Sequence, residues 1–150
     1  MGLDLIISAE NDFRKNGKGQ VEYTVTQLYN LRNCSEILER LSWDIDGGFS
    51  NCGTFTFYEG KFHHILKELK DLLVEFQNED VTKDIMGNPI EEDQIQYRIN
   101  SQRERIKQVE YEISKLEGFF QQEGLNAPED LFDTDDYITY GKEYQVHAWW

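Results

Sequence analysis

A chain of 150 residues can bury a hydrophobic core, and 39% hydrophobic with 13% aromatic residues excludes a disordered chain. The formal net charge of −14 repels nucleic acid and anionic membrane surfaces alike, so it excludes direct binding to either and leaves basic protein surfaces as the natural partners. Cys34 and Cys52 are the only cysteines. Without a charged leader or an apolar run of about 20 residues, they predict reduced thiols in a cytoplasmic chain with no membrane span.

In chain order, Leu3 to Ala9 is short and β-prone, and a polar turn from Glu10 to Gly19 follows. Gln20 to Thr26 alternates, with Val21, Tyr23 and Val25 on one face. Both segments read as strands of one sheet, a hairpin being one way to join them. From Gln27 the period changes. Leu28, Leu31, Cys34, Leu38, Leu41 and Ile45 recur at three or four, which predicts a helix. Its start is at Gln27 or at Asn33, where Asn33 and Glu36 suit a capping box, and Gly47-Gly48 ends it. Thr54 to Tyr58 is a further β-prone run between Gly53 and Gly60.

A second helix is predicted from about Lys61 to Asn78, striped by Phe62, Leu66, Leu69, Leu73 and Phe76 and widened by Ile65 and Leu72. After a polar loop over 79 to 88 comes the longest element, from Asn88 to Gly124. Asn88 as N-cap, Pro89 as first helical residue and Glu91 closing a capping box predict its start. Ile95, Ile99, Gln102, Ile106, Val109, Ile113, Leu116 and Phe120 then keep one face, broken only by Gln102. Gly124 predicts a left-handed cap, with Leu125 folding back on Phe120. A helix of that length reaches roughly 50 Å. Its sequential partner is shorter, so the surplus stripe needs either the sheet or a second copy of the chain. Ile99, Gln102, Ile106, Val109 and Ile113 are the candidate self-association residues of a homodimer.

Glu129 to Asp136 holds five acids, Glu129, Asp130, Asp133, Asp135 and Asp136, and no base. Tyr137 to Trp150 alternates around Gly141-Lys142 and predicts a C-terminal hairpin ending on Trp149 and Trp150. The five acids suit either a solvated loop or an array facing an Arg/Lys-rich groove, standing in for phosphates. Exposed aromatics anchor interfaces, so Trp149 and Trp150 join the acids as candidate partner-binding residues.

No residue pattern predicts a catalytic, metal or cofactor site. His63 and His64 are adjacent and would point about 100° apart on a helix, unable to grip one ion as an i,i+4 pair can. Asp44-Ile45-Asp46-Gly47 opens like a calcium loop, yet Phe55 stands where the closing Glu is needed. Asp133-Thr134-Asp135 has Ile138 in the place of the glycine. Cys34 lies on the apolar stripe of the first helix and reads as core, Cys52 has no basic residue near it to lower its pKa, and no phosphate loop or nucleophile elbow is present.

The opening Met1-Gly2-Leu3-Asp4-Leu5, with Leu28-Tyr29-Asn30-Leu31-Arg32-Asn33, resembles small uncharacterised proteins encoded by bacteriophages over the first third of the chain. The resemblance implies a setting in which small acidic proteins bind and disable a host defence nuclease.

The expectation is one α+β domain over residues 1–150, a small mostly antiparallel sheet packed by three helices, two of them an antiparallel hairpin. Its expected function is that of a non-enzymatic acidic binding protein. Such a protein would inhibit a basic host protein, a CRISPR or restriction nuclease, by charge complementarity or DNA mimicry. An oligomerising module assembled through the long helix is the alternative. A small hydrolase using carboxylates or His147 is the third class.

Overall fold

The computed structural model describes residues 2–9, 18 and 28–150 in full and the backbone of 14–15 and 21–22. In chain order the elements are strands β1 (Asp4–Ala9), β2 (Arg14–Lys15), β3 (Val21–Glu22) and β4 (Tyr29–Asn30), helix α1 (Ser35–Ser42), strand β5 (Thr54–Tyr58), helices α2 (Glu59–Asn78) and α3 (Glu92–Glu123), a 3-10 helix (Asp135–Thr139) and strand β6 (Glu143–Trp149). The fold is α+β. A four-stranded sheet runs in the order β4-β1-β6-β5 with every neighbouring pair antiparallel, and β2 and β3 form a separate ribbon.

Strand alternation divides the sheet into two faces. Leu5, Ile7, Tyr144, Val146, Ala148 and Phe57 are buried on the face towards the helices. There they join Phe62, Ile65 and Leu69 of α2 and Val109, Leu116 and Phe119 of α3 in one cluster. Phe62 meets Phe119 and Tyr144 edge-on, with ring centroids 5.5 and 6.2 Å apart. The opposite face carries Ile6, Ser8, Gln145, His147, Thr54 and Thr56. His147 is fully buried there, with Nδ1 2.7 Å from the Thr54 hydroxyl, and burial holds its pKa below the ordinary histidine value.

Helices α2 and α3 form the expected antiparallel hairpin. At one end the His63 ring lies 4.4 Å from that of Phe120; at the other, Arg98 Nη2 is 3.2 Å from Glu79 Oε1. α3 has 32 residues against 20 in α2, and the 79–90 loop folds back along the first turns of the surplus. Arg98 donates to the carbonyls of Lys83 and Asp80 in that loop. On its other side α3 meets α1, and Glu112 accepts from the backbone N–H groups of Glu36 and Ile37 at 3.2 and 2.9 Å. That carboxylate satisfies two of the donors that a helix start leaves without partners. The end of α3 is as expected: Gly124 is left-handed, and Leu125 N–H donates to Phe120 O at 2.9 Å.

Several expectations are corrected. Gln27 lies outside the described residues, and no helix runs over residues 28–34. Tyr29–Asn30 is an edge strand against β1, Asn33 is left-handed, and α1 starts at Ser35 with Cys34 as its N-cap residue and stops at Ser42. Among the described residues β1 pairs with β4 and β6; of the segment at 20–26, Val21–Glu22 pairs with β2, and its remaining residues lie outside the described ones. The long helix does not begin at Asn88. Its N-cap is Glu91, while Pro89 bridges Lys83 and Asn88 N–H donates to Asp84 Oδ1 at 2.8 Å. The residues after Tyr137 form no hairpin, since the first arm is the 3-10 helix and β6 is a central strand.

Candidate protein-binding surface

The acid-bearing segment is held by its apolar residues. Leu131 is buried, and Phe132 and Tyr137 pack edge-to-face with ring centroids 5.5 Å apart. His64 of α2 stacks on Tyr137 at 4.6 Å and 14°. Thr134 caps the 3-10 helix by accepting from Asp136 N–H. Behind it, Gly60 N–H donates to Tyr140 O at 3.0 Å and Glu59 N–H donates to Lys142 O at 2.9 Å. The backbone at Gly60 approaches so closely that a Cβ there would lie 1.7 Å from Tyr137 O. With Leu131, Phe132 and Tyr137 turned inward, Glu129, Asp130, Asp133, Asp135 and Asp136 are all exposed. Among the described residues none of these five is in a salt bridge.

Beside this segment a cleft of about 420 Å³ runs along β5, lined by Ile45, Phe55, Thr56, Lys61, Tyr137 and Ile138 among others. Ile138 is 56% exposed at its mouth. Partial burial first, then the charges of Asp135, Glu68 and Asp44, hold the Tyr137 phenol above the ordinary tyrosine value. Lys61 Nζ sits 2.8 Å from Asp44 Oδ2, so the base in the cleft already has an acid partner. The surface is therefore apolar at its floor and acidic at its rim.

No family model matches the chain, and neither a curated protein nor a solved structure matches it.

The two groups of candidate partner-binding residues are not brought together. Trp149 and Trp150, 49% and 39% exposed, lie at the far end of β6 from the acids, about 20 Å along the strand. Trp150 N–H is held there by Asn51 Oδ1 at 3.0 Å. The candidate self-association residues also divide. Val109 and Ile113 are buried in the chain's own core, at 1% and 9% exposure, whereas Ile99 and Ile106 are half-buried. Gln102 caps α2: its Nε2 donates to Phe76 O at 2.6 Å and Glu79 O at 3.3 Å.

His63 and His64 diverge, Nε2 of the first lying 2.8 Å from Glu59 Oε2 and Nδ1 of the second 2.6 Å from Glu68 Oε1. Among the described residues no group of three or more His, Cys, Asp or Glu side chains is arranged to hold a metal ion. Cys34 is buried, and burial followed by the neighbouring Glu112 charge pushes its thiol up to about 12. Cys52 is exposed in a left-handed turn. No helix among the described residues is long and apolar enough to cross a membrane.

The cleft itself was not legible in the sequence. Ile45, Thr56 and Tyr137 belong to three separate segments with no common motif. The one local signal was Gly60, whose missing side chain is what lets the acid-bearing segment dock on α2.

Proposed function

We propose that this chain is a non-enzymatic binding protein that engages a basic protein partner through residues 129–138 and the cleft beside β5. The observation that carries the reading is the arrangement of the segment: its apolar side chains clamp it to α2 while its five acids stay exposed and without a salt bridge among the described residues. Clustered like charges cost a fold self-repulsion, which dispersed acids would avoid. The cost is offset when a partner supplies the opposite field, which also speeds association.

The partner class that fits both this chemistry and the resemblance of the first third of the chain is a nucleic-acid-handling host protein, such as a CRISPR or restriction nuclease. The carboxylates would occupy its phosphate-binding groove. Assembly through α3 is the competing reading, and it has less surface to use, since the middle of the stripe is inside the core.

The test is capture of a partner from host lysate at low and high salt, with the wild type and an Asp133→Asn, Asp135→Asn, Asp136→Asn variant. A basic nucleic-acid-binding protein released by salt, and captured more weakly by the variant, supports the reading. Equal affinity of both proteins at both ionic strengths reduces the segment to a solvated loop.

A further inference from the structure

Strand β5 closes one side of the sheet, and its outer edge has no strand partner among the described residues. Hydrogen bonds at the two ends of its ladder with β6 set the phase of the strand. Ala148 N–H donates to Gly53 O at 3.0 Å, and Glu59 N–H donates to Lys142 O at 2.9 Å. Antiparallel pairs alternate between bonded and non-bonded. In the observed register the bonded pairs between those ends are Phe55 with Val146 and Phe57 with Tyr144. Phe55 and Phe57 therefore commit their backbone groups to β6, and Thr54 and Thr56 turn theirs to the outer edge.

That edge opens into the cleft. Thr56 is exposed on it, Ile45 and Phe55 offer apolar surface on one side, and Tyr137 and Ile138 wall the other. Edge strands that a protein protects from pairing are blunted by lysine, proline or a bulge. Thr54-Phe55-Thr56-Phe57-Tyr58 carries no lysine and no proline. Lys61 in the cleft is paired with Asp44, and Glu68 lies against Arg40 and His64. Asp135, with Asp133 and Asp136 next to it in the chain, is exposed and in no salt bridge among the described residues, so the charge left over at the rim is acidic.

We infer that β5 accepts an extended segment of the partner as a fifth, edge-added strand, one that alternates basic and apolar residues. Its backbone would pair with Thr54 and Thr56, its apolar side chains would enter the cleft between Ile45 and Ile138, and its lysines or arginines would face the acidic rim. Strand addition of this kind draws affinity from main-chain hydrogen bonds and specificity from the pockets for alternate side chains. The inference rests on the reading of 129–138 as a basic-partner surface and adds the conformation in which the partner binds.

The probe is an alternating lysine–valine hexapeptide titrated into isotope-labelled protein at low salt. Two companions are its glutamate–valine counterpart and a copy N-methylated on alternate amides, which keeps charge and side chains but cannot pair as a strand. The expected result is movement of the Thr54 and Thr56 amide signals, slowed hydrogen exchange at both, and binding about tenfold weaker for the methylated copy. The protein variant Thr56→Pro removes one outward N–H at an edge position, where proline is tolerated, and should weaken the unmethylated peptide similarly. If the methylated and unmethylated peptides bind equally and disturb only residues 129–139, strand addition is overturned while the acidic-surface reading stands. If neither lysine peptide binds, strand addition is overturned, and the lysate capture decides the other reading separately. Equal binding of the glutamate peptide overturns the charge selectivity claimed for the occupant.

Discussion

Gly60 of α2 and Tyr137 of the 3-10 helix are packed backbone to backbone: a Cβ on Gly60 would come 1.7 Å from Tyr137 O and 2.7 Å from its carbonyl carbon. The acid-bearing segment keeps its position because this one helical residue has no side chain. Both neighbours in the clash are main-chain atoms, so neither can rotate away. Gly60→Ala is expected to cost about 1–3 kcal/mol as overpacking, or to dislodge the 3-10 helix while the sheet and α3 remain. The urea midpoint measures the first outcome, and loss of the ring-current shift that His64 imposes on Tyr137 measures the second. An unchanged midpoint together with unchanged shifts would mean that the two backbones are not this close.

The stripe on α3 belongs first to the chain's own core. Val109→Asp puts a charge at a position 1% exposed inside the apolar core and should cost more than about 3 kcal/mol. Ile99→Asp, at a half-buried position near the 79–90 loop, should cost much less. Neither melting temperature should depend on protein concentration, as it would if the stripe were an obligate interface. Light scattering that shows Val109→Asp to be folded but halved in mass would return the stripe to self-association.

Gln102 reads differently in sequence and in structure. The one polar member of an apolar stripe can fix the register of two helices at a cost in stability, and leucine is then the more stable choice. In the fold it donates to Phe76 O and Glu79 O, main-chain acceptors at the C-terminal end of α2. Gln102→Leu is therefore expected to lower stability by about 1–2 kcal/mol, leaving part-buried carbonyls without that donor. A rise in the urea midpoint would show that solvent already satisfies those carbonyls.

What the sequence revealed, and what it concealed, follows the range of the interactions involved. Thr54–Tyr58 was legible to the residue because β-branched and aromatic side chains fill a run closed by glycines on either side. The end of α3 was legible because a left-handed glycine cap is a local device. Asn88-Pro89 misled because the same pair also suits a turn. Asp84 accepts from the N–H groups of both Met86 and Asn88, and Gly87 takes a positive φ, which holds these residues in a loop. Leu28 and Leu31 misled because a spacing of three fits a helix face as well as residues flanking a two-residue edge strand. The acids were legible as a cluster. The cleft beside them was not, because it is assembled from segments that only the tertiary fold brings together.

Glu112 supplies a pH signature of the α1–α3 contact. Its carboxylate is fully buried and accepts from Glu36 N–H, Ile37 N–H and Gln108 Nε2. Burial raises its pKa more than these three donors lower it, so the folded carboxyl lies above its ordinary value of 4.5. A raised folded pKa means that the native state binds the proton more tightly than the unfolded chain does. The stabilisation from this linkage is complete below the ordinary glutamate value and is lost as pH rises through the folded value. Above that it is gone, and stability no longer changes with pH on account of this group. Glu112→Gln removes the titration and leaves the other acids in place. The wild-type free energy of unfolding minus that of the variant should therefore fall as pH rises above the ordinary glutamate value and level off once the pH exceeds the folded value. Urea unfolding of both proteins at several pH values gives that difference directly. A difference that rises with pH over the same window would mean that the three hydrogen bonds outweigh burial and that the charged form is the one the fold prefers.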